Sequence, residues 1–241
     1  MMTTSKIHSA PIEVYAIQNS DRISEQTYAS LFQRLSPERA QYVMRFKQAN
    51  DYQRSLLGDA MLHRIIQERL GIERRYLEYA RNQYGKPYLK EYPDIHFNIS
   101  HSGHWIVCAV SDDWIGIDVE QVNVVDLAIA DRFFHPAERE QLLHLHKNKR
   151  QSLFFDFWTL KESYIKAVGK GLHLPLDSFA LEMRDEGWAP IMGEEGRTFF
   201  FRQYEIEEGY KMSVCSPCSA FPDRIQYISA EYLTIEDHQP I

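Results

Sequence analysis

Three absences narrow the class of this 241-residue chain. It has no run approaching the roughly 20 apolar residues that a bilayer-spanning helix needs, so we expect no membrane segment. Residues 1–11 are polar and lack an apolar stretch, which argues against a secretory signal peptide. Only three cysteines occur, too few for a disulfide framework in a chain of this length. A reduced, cytoplasmic protein is the expectation.

Positive charge is also in short supply. The formal net charge is −7, whereas proteins that bind nucleic acid usually carry a basic surface, so no nucleic-acid partner is expected. Cys215 and Cys218 have redox spacing, but they lack a βα setting and a second pair, and we interpret them as structural. With 44% hydrophobic and 25% charged residues, the chain has the composition of a globular protein with an ample core.

Strand and helix patterns alternate along the first half of the chain. Strands are expected where β-branched and aromatic residues gather, and helix ends where Ser-Pro or glycine occurs. The predicted elements are a strand at Glu13–Ile17, a helix from Ser36-Pro37 to about Lys47, a longer helix from Asp51 to Leu70 closed by Gly71, and strands at Ile95–Ser100, Trp105–Ser111 and Trp114–Glu120.

The second half loosely repeats this order. His135-Pro136 resembles the earlier helix start, and a second long helix is predicted over Ser152–Val168. Strands are predicted at Phe199–Glu205, Lys211–Cys215 and Ile225–Ala230. The pattern suggests a duplication with a cleft between the halves, although proline after a cap residue is common enough for chance to explain it.

Two acidic residues alternate along an otherwise apolar strand. Asp118 and Glu120 point to one face, while Ile117 and Val119 point to the other. A solvated strand face is the simplest explanation. However, acids are depleted from strands and the neighbours here are apolar, so a bound cation gives the pair a better reason to be there.

The stretch from Trp158 to Lys166 carries a second set of polar groups. On a helix, Trp158, Glu162 and Lys166 recur every four residues and share a face. Glu162 can then join the two strand acids in a hard oxygen site, for which magnesium is the expected metal beside phosphates. Lys166 can instead be a plain helix-surface partner of Glu162, and Trp158 is expected in the core.

Polar turns offer contacts for an anion. The segment 97–104 ends a strand in a glycine-containing turn, whose N–H groups and hydroxyls suit a phosphate, with His101 adding a hydrogen bond. His101 and His104 could also hold a metal, but no third His or Cys at zinc-like spacing accompanies them. The turn Gly85–Pro87 either holds a lysine over a nucleotide or only connects two elements.

These motifs, in this order and spacing, resemble the 4′-phosphopantetheinyl transferase superfamily in its surfactin-synthetase-activating (Sfp-type) class. The resemblance covers about Val14 to Tyr232. The matching blocks are 54–59, 85–87, 97–102, 116–120, 158–166, 169–172 and 175–176. It implies an α+β pseudo-dimer of two similar lobes, residues 1–112 and 113–241. Each lobe would pack a small, mainly antiparallel sheet against a long helix, with coenzyme A in the cleft between them.

The resemblance also implies roles for individual residues. Magnesium, or manganese, would be held by Asp118, Glu120 and Glu162 together with the pyrophosphate of coenzyme A, which Lys166 would contact. The implied coenzyme A contacts are Arg39, Arg54 and Ser55 near the 3′-phosphate and adenosine, Lys86 and Pro87 at the adenine, and Ser100 and His101 at the phosphates. Tyr42 stands where close relatives carry a second basic residue, so Arg45 is a candidate replacement.

The implied reaction moves 4′-phosphopantetheine from coenzyme A to a serine hydroxyl of an apo peptidyl or acyl carrier protein. Adenosine 3′,5′-bisphosphate is the other product. Lys166 would stabilise charge on the leaving phosphate. Glu162 would take the serine proton, with a metal-bound water as the alternative base.

Two further expectations concern partners. Arg132–His135 offers two aromatics beside cations as a carrier-docking surface, although Phe133 and Phe134 could equally belong to the core. A monomer is expected from the pairing of the two lobes. The rival functions are a metal-dependent phosphodiesterase that uses the same acids and a non-catalytic coenzyme A-binding module. The three intact acids argue against the second, and the full set of motifs disfavours both.

Overall fold

The computed structural model describes residues 12–20, 23–72, 77–184 and 187–235. Helices and sheets are mixed along the chain, so the α+β class is confirmed. Within these ranges, the helices are all too short or too polar to cross a bilayer.

The elements up to residue 121 are one strand, three helices and a run of five strands. They are β1 (Glu13–Gln18), α1 (Glu25–Gln33), α2 (Pro37–Val43), α3 (Ala49–Leu70), β2 (Tyr79–Arg81), β3 (Pro87–Leu89), β4 (His96–Ser102), β5 (Trp105–Ser111) and β6 (Gly116–Gln121).

The remaining described elements begin with helices and end with strands. They are α4 (Ala130–Phe133), α5 (Pro136–His144), α6 (Lys147–Val168), β7 (Met183–Arg184), β8 (Gly187–Trp188), β9 (Ile191–Met192), β10 (Thr198–Gln203), β11 (Tyr210–Ser216) and β12 (Gln226–Tyr227).

Two four-stranded sheets form the framework. The first has the order β12-β1-β5-β4 and the second has the order β6-β11-β10-β9. Helix α3 packs on the first sheet and α6 on the second. Both helices have 22 residues and both end at a glycine in the left-handed region, Gly71 (φ 64°) and Gly169 (φ 77°). That conformation is accessible to glycine without steric penalty.

Alternation along the strands separates the cores. On β5, Ile106 and Cys108 are buried in the core that α3 also joins. Val107 and Ala109 are buried in a second core shared with Ile117 and other residues of the second sheet. The apolar face of β6 is thereby used between the sheets, so Asp118 and Glu120 must turn the other way.

Several predicted boundaries were wrong. The helix expected to reach Lys47 ends at Val43. Beyond it, the N–H groups of Arg45 and Phe46 donate to carbonyls three residues earlier, as in a 3₁₀ turn, and not four residues earlier. The second long helix starts at Lys147, five residues before the predicted start.

The strand predicted over Ile225–Ala230 is only two residues long and belongs to the other sheet. It pairs in parallel with β1, with Tyr15 opposite Gln226. A residue pattern identifies a strand but not its partner. For this reason the sequence analysis grouped this strand with the others of the second half.

Candidate active site

The edges of the two sheets meet where β4 lies beside β6. Alternate side chains of β4 reach across to β6, as the two-residue period of a strand requires. Asn98 Oδ1 accepts the N–H of Ile117 at 2.9 Å, Ser100 Oγ donates to Asp118 Oδ1 at 2.8 Å, and Ser102 Oγ donates to Glu120 Oε2 at 2.7 Å. The two strand acids are therefore held at the seam between the sheets.

Helix α6 brings the third acid and a lysine to this seam. Gly116 allows the approach, since a Cβ there would lie 2.0 Å from the carbonyl oxygen of Ser163. Lys166 Nζ donates to Asp118 Oδ1 at 2.5 Å and to Ser100 Oγ at 3.1 Å. Lys166 is thus an ion-pair partner of Asp118, across two elements, rather than a surface partner of Glu162 alone.

The three acids affect one another electrostatically. Burial raises the pKa of Glu120 to about 6, and repulsion from Asp118 and, more weakly, Glu162 adds to the rise. Burial likewise raises the pKa of Glu162, with Asp118 adding to it and Lys166 opposing it. A carboxylate whose ionised form is disfavoured by burial and by other anions is stabilised by a nearby cation.

The donor set suits a hard metal ion, but the side chains are not arranged as a ready ligand cage. Asp118 is 2% exposed, and its Oδ2 atom has no hydrogen-bond partner among the described residues. In the same residues, no group of three Asp, Glu, His or Cys side chains is placed to hold a metal together. Carboxylate oxygens fit magnesium chemically, while Lys166 supplies the positive charge at Asp118.

A cavity of about 1250 Å³ opens beside the seam, between α2, α3, β4 and the β2–β3 hairpin. Five of the predicted coenzyme A contacts line this cavity. They are Arg39, Arg54, Ser55, Pro87 and His101. Ser100 lies instead on the acid side of β4, where it bonds Asp118.

Arg39 and Tyr42 form one side of this cavity. Arg39 donates to Ser55 Oγ at 2.8 Å and pairs with Asp59. Its guanidinium carbon lies 4.5 Å from the centre of the Tyr42 ring, a cation–π contact. Tyr42 therefore supports Arg39 rather than adding a second charge. Arg45, the predicted replacement, is exposed and is not among the residues that line the cavity.

Arg54 and His101 also line the cavity. Arg54 pairs with Asp51 and donates to the carbonyl of Gly103, at the turn between β4 and β5. Desolvation, followed by the charge of Arg54, lowers the pKa of His101. His101 is therefore a neutral hydrogen-bonding group near pH 7. The other histidine of the pair, His104, bonds Glu207 and Tyr210 instead.

Lys86 does not point into the cavity. Its ammonium donates to the carbonyls of Ile115 and Ala167 at 3.1 and 2.9 Å, and only the neighbouring Pro87 lines the cavity. The family resemblance implied that both residues lie at the adenine. A Gly-Lys-Pro turn alone does not indicate the direction of the lysine side chain.

The proposed docking surface at Arg132–His135 needs a correction. Phe134 is 1% exposed and stacks on Phe154 at 5.1 Å, so it belongs to the core. Its neighbour Phe133 is partly buried and lies under the guanidinium of Arg132. Trp158 is partly buried and packs against this aromatic cluster, in keeping with the expectation that it contacts the core.

Sequence reasoning missed several residues that hold the site together. Asn98 and Ser102 alternate with Ser100 on β4, so the two-residue strand period could have identified them. The buried pair of Lys161 and Glu138, 2.9 Å apart and both fully buried, had no such signal. The two residues are 23 positions apart, and only the packing of α5 on α6 brings them together.

Comparison with known proteins agrees with this geometry. Residues 115–215 match the family profile described as the 4′-phosphopantetheinyl transferase superfamily. Residues 22–113 match the profile described as 4′-phosphopantetheinyl transferase, N-terminal.

Curated relatives match along nearly the whole chain. The Bacillus subtilis 4′-phosphopantetheinyl transferase ffp is 38% identical over 92% of this chain and 100% of its own length. The transferase Sfp of Bacillus subtilis (strain 168) is 36% identical with the same coverage. The transferase gsp of Aneurinibacillus migulanus is 36% identical over 85% of this chain and 86% of its own length. The chain therefore belongs to the 4′-phosphopantetheinyl transferase superfamily and is an enzyme of that type.

Proposed function

We propose that this enzyme transfers the 4′-phosphopantetheine group of coenzyme A to a serine hydroxyl of an apo peptidyl or acyl carrier protein. Adenosine 3′,5′-bisphosphate leaves. The observation that carries the proposal is the arrangement at the seam, where Lys166 contacts Asp118 and Ser100 while burial and mutual repulsion raise the pKa values of Glu120 and Glu162.

Magnesium is the metal that we assign to Asp118, Glu120 and Glu162, with manganese as an alternative. The partnerless Oδ2 of Asp118 and the raised pKa values of the other two acids support a cation at this place. When bound, such an ion neutralises phosphate charge and aligns the pyrophosphate.

The protein's own groups would divide the work of transfer. Lys166 places a positive charge beside the reacting phosphate, where it stabilises the charge that grows on the leaving group. The raised pKa of Glu162 makes its carboxylate a better proton acceptor near neutral pH, in keeping with a role as the base for the serine hydroxyl. A metal-bound water remains the alternative base.

The cavity is the proposed site for the nucleotide end of coenzyme A. Arg39, Arg54 and Ser55 would contact the 3′-phosphate and adenosine, with Ser100 and His101 at the phosphates. Pro87 would border the adenine. Support comes from the position of most of these residues around one cavity, whose wall includes β4, the strand that also holds Asp118 and Glu120.

The larger arrangement is also part of the proposal. Two sheets with 22-residue helices support two related lobes, 1–112 and 113–241. Burial of Phe134 leaves Arg132 and Phe133 as the proposed carrier contacts. We further propose a cytoplasmic monomer. Its cysteines at 108, 215 and 218 are free thiols, as a reducing compartment would leave them.

The direct test is incubation of the protein with an apo carrier, coenzyme A and magnesium, followed by mass spectrometry of the carrier. We expect the carrier to gain one phosphopantetheine group on its serine. Hydrolysis of coenzyme A without a carrier would favour a phosphodiesterase. Tight binding without turnover would favour a non-catalytic binding module.

A further inference from the structure

The β2–β3 hairpin connects the cavity to the catalytic helix. One side of the hairpin lines the cavity through Tyr79, Ala80, Arg81 and Pro87. Its tip, residues 82–86, lies against the C-terminal end of α6. The same short element therefore contacts both the space for the nucleotide and the helix that carries Glu162 and Lys166.

Lys86 makes the central contact of this connection. Its ammonium donates to the carbonyl of Ala167 at 2.9 Å and to the carbonyl of Ile115 at 3.1 Å. Ala167 follows Lys166 directly, and Ile115 precedes β6, three residues before Asp118. One side chain thus fixes the backbone on both sides of the Lys166–Asp118 ion pair.

Asn82 adds a second contact between the hairpin and the C-terminal end of α6. Its Oδ1 accepts the N–H groups of Tyr84 and Lys86, both at 2.9 Å, and so organises the turn. Its Nδ2 donates to the carbonyl of Gly169 at 2.9 Å. Packing at this point is close, because a Cβ on Gly169 would lie 2.7 Å from Lys86 Cδ.

A charged ammonium is energetically unfavourable in this desolvated space. Burial lowers the pKa of Lys86 to about 8, which means that the fold disfavours its charge. The carbonyl of Ala167 belongs to the last turn of α6, where a helix favours positive charge. An apolar side chain could fill the volume but could not bond both carbonyls.

We propose that Lys86 is a positioning residue that couples occupation of the nucleotide cavity to the placement of Lys166 against Asp118. The inference rests on the proposed function, since it assigns the nucleotide to the cavity and catalysis to Lys166. It gives the lysine of the Gly-Lys-Pro turn a role between the active-site elements instead of one at the adenine.

The first experiment is a double-mutant cycle on the transfer rate. Lys86→Met should lower kcat by about 10- to 100-fold, because a small displacement of a catalytic group has effects of that size. In a Lys166→Ala background the same substitution should change kcat much less, because no ammonium remains to be positioned. Equal fold-changes in the two backgrounds, or an unchanged kcat in Lys86→Met, would overturn the proposal.

Two matched variants keep this test decisive. Lys90→Met removes an exposed lysine one residue beyond β3 that pairs with Glu78, and its kcat should stay at the wild-type value. Asn82→Asp retains the acceptor that organises the turn but removes the donor to Gly169, so it should lower kcat in the same direction. If Lys86→Met does not fold, Asn82→Asp takes its place in the cycle.

The second experiment separates coupling from activity. Adenosine 3′,5′-bisphosphate should slow amide hydrogen exchange in residues 165–169 of the wild type but not of Lys86→Met. Equal slowing in both proteins would contradict the coupling. A wild type that neither binds this nucleotide nor modifies a carrier would refute the proposed function instead. In that case, residues 165–169 without nucleotide should still exchange their amide hydrogens faster in Lys86→Met than in Lys90→Met. Equal exchange rates in these two variants would contradict the contact between the hairpin and α6.

Discussion

Glu120 and Glu162 show at the scale of single residues how a fold can hold charges that it disfavours. Burial and mutual repulsion raise the pKa of Glu120 to about 6 and also raise that of Glu162. Lys166 offsets part of this charge by its contact with Asp118. We expect this arrangement to lower the stability of the free enzyme.

Glu120 allows a measurement of that cost. A carboxyl with a raised folded-state pKa binds more protons when folded, so its contribution to stability falls as pH rises from the ordinary value of 4.5 to about 6. We expect the free energy of unfolding of Glu120→Gln, relative to that of wild type, to be higher at pH 7.5 than at pH 4. The increase should be at most about 2 kcal/mol, because solvent screening reduces it.

The measurement is urea unfolding of both proteins with a chelator present. Gln can still accept the hydrogen bond from Ser102, which limits other effects of the substitution. A difference in free energy of unfolding that does not change with pH would show that the charge of Glu120 is not disfavoured.

Lys166 is expected to act on the rate rather than on binding. Lys166→Ala should lower kcat by about 100-fold or more, since it removes a charge that stabilises the leaving phosphate, while KM for coenzyme A changes little. Steady-state kinetics with a saturating apo carrier provides the comparison. A raised KM with unchanged kcat would mean that the lysine binds ground state and transition state equally.

At the scale of secondary structure, the close approach of β6 and α6 sets the site. Their backbones touch at Gly116, where a Cβ would lie 2.0 Å from Ser163 O and 2.4 Å from Ala167 N. Backbone atoms cannot rotate away as a flexible side chain can. The glycine therefore determines how near Asp118 comes to Lys166.

Gly116→Ala should lower the free energy of unfolding by about 3 kcal/mol, because overpacking against the backbone of α6 forces the helix off the sheet. Chemical denaturation measures the change. Gly58→Ala is the matched control, since its Cβ would meet Ile106 Cγ2 at an ordinary 3.4 Å. Similar losses in both variants would argue against a specific contact between β6 and α6.

Phe134 also belongs to this scale. Phe134→Ala should lower the free energy of unfolding by about 3–5 kcal/mol, as expected for truncation of a buried aromatic, because it opens a hole beside Phe154 and Phe157. Thermal and urea unfolding would test this. A variant of wild-type stability would contradict the core position assigned to this ring.

The elements that the sequence predicted best have a clear apolar pattern between clear ends. Helix α3 was found nearly to its ends because its apolar residues recur at helical spacing and Gly71 follows, and β5 was found to both ends because it is a short apolar run between polar turns. The β2–β3 hairpin was seen only as a turn, since two strands of three residues give too little pattern. The direction of the Lys86 side chain depends on α6, which is about 80 residues away in the sequence.

At the scale of the whole molecule, an early and a late strand of the described residues share one sheet. Strand β12 pairs with β1, and Ala230 and Leu233 are buried in the core beneath α3. Arg34 donates to the carbonyls of Leu233 and Thr234, at 3.1 and 2.6 Å. The first lobe as predicted, residues 1–112, therefore includes only part of the core on which its sheet depends.

We assign the active site to the seam where β4, β6 and α6 bring three carboxylates and one lysine together. The most direct test of this assignment is the rate at which Asp118→Asn modifies an apo carrier in the presence of coenzyme A and magnesium, followed by mass spectrometry. The exposed Asp223→Asn is the control.

We expect Asp118→Asn to keep its fold, as judged by circular dichroism, and to lose transfer by about 1000-fold or more, because the charge that pairs with Lys166 and would hold the cation is gone. Asp223→Asn should transfer at the wild-type rate. A folded Asp118→Asn protein with full magnesium-dependent activity would contradict the assignment of the seam as the active site.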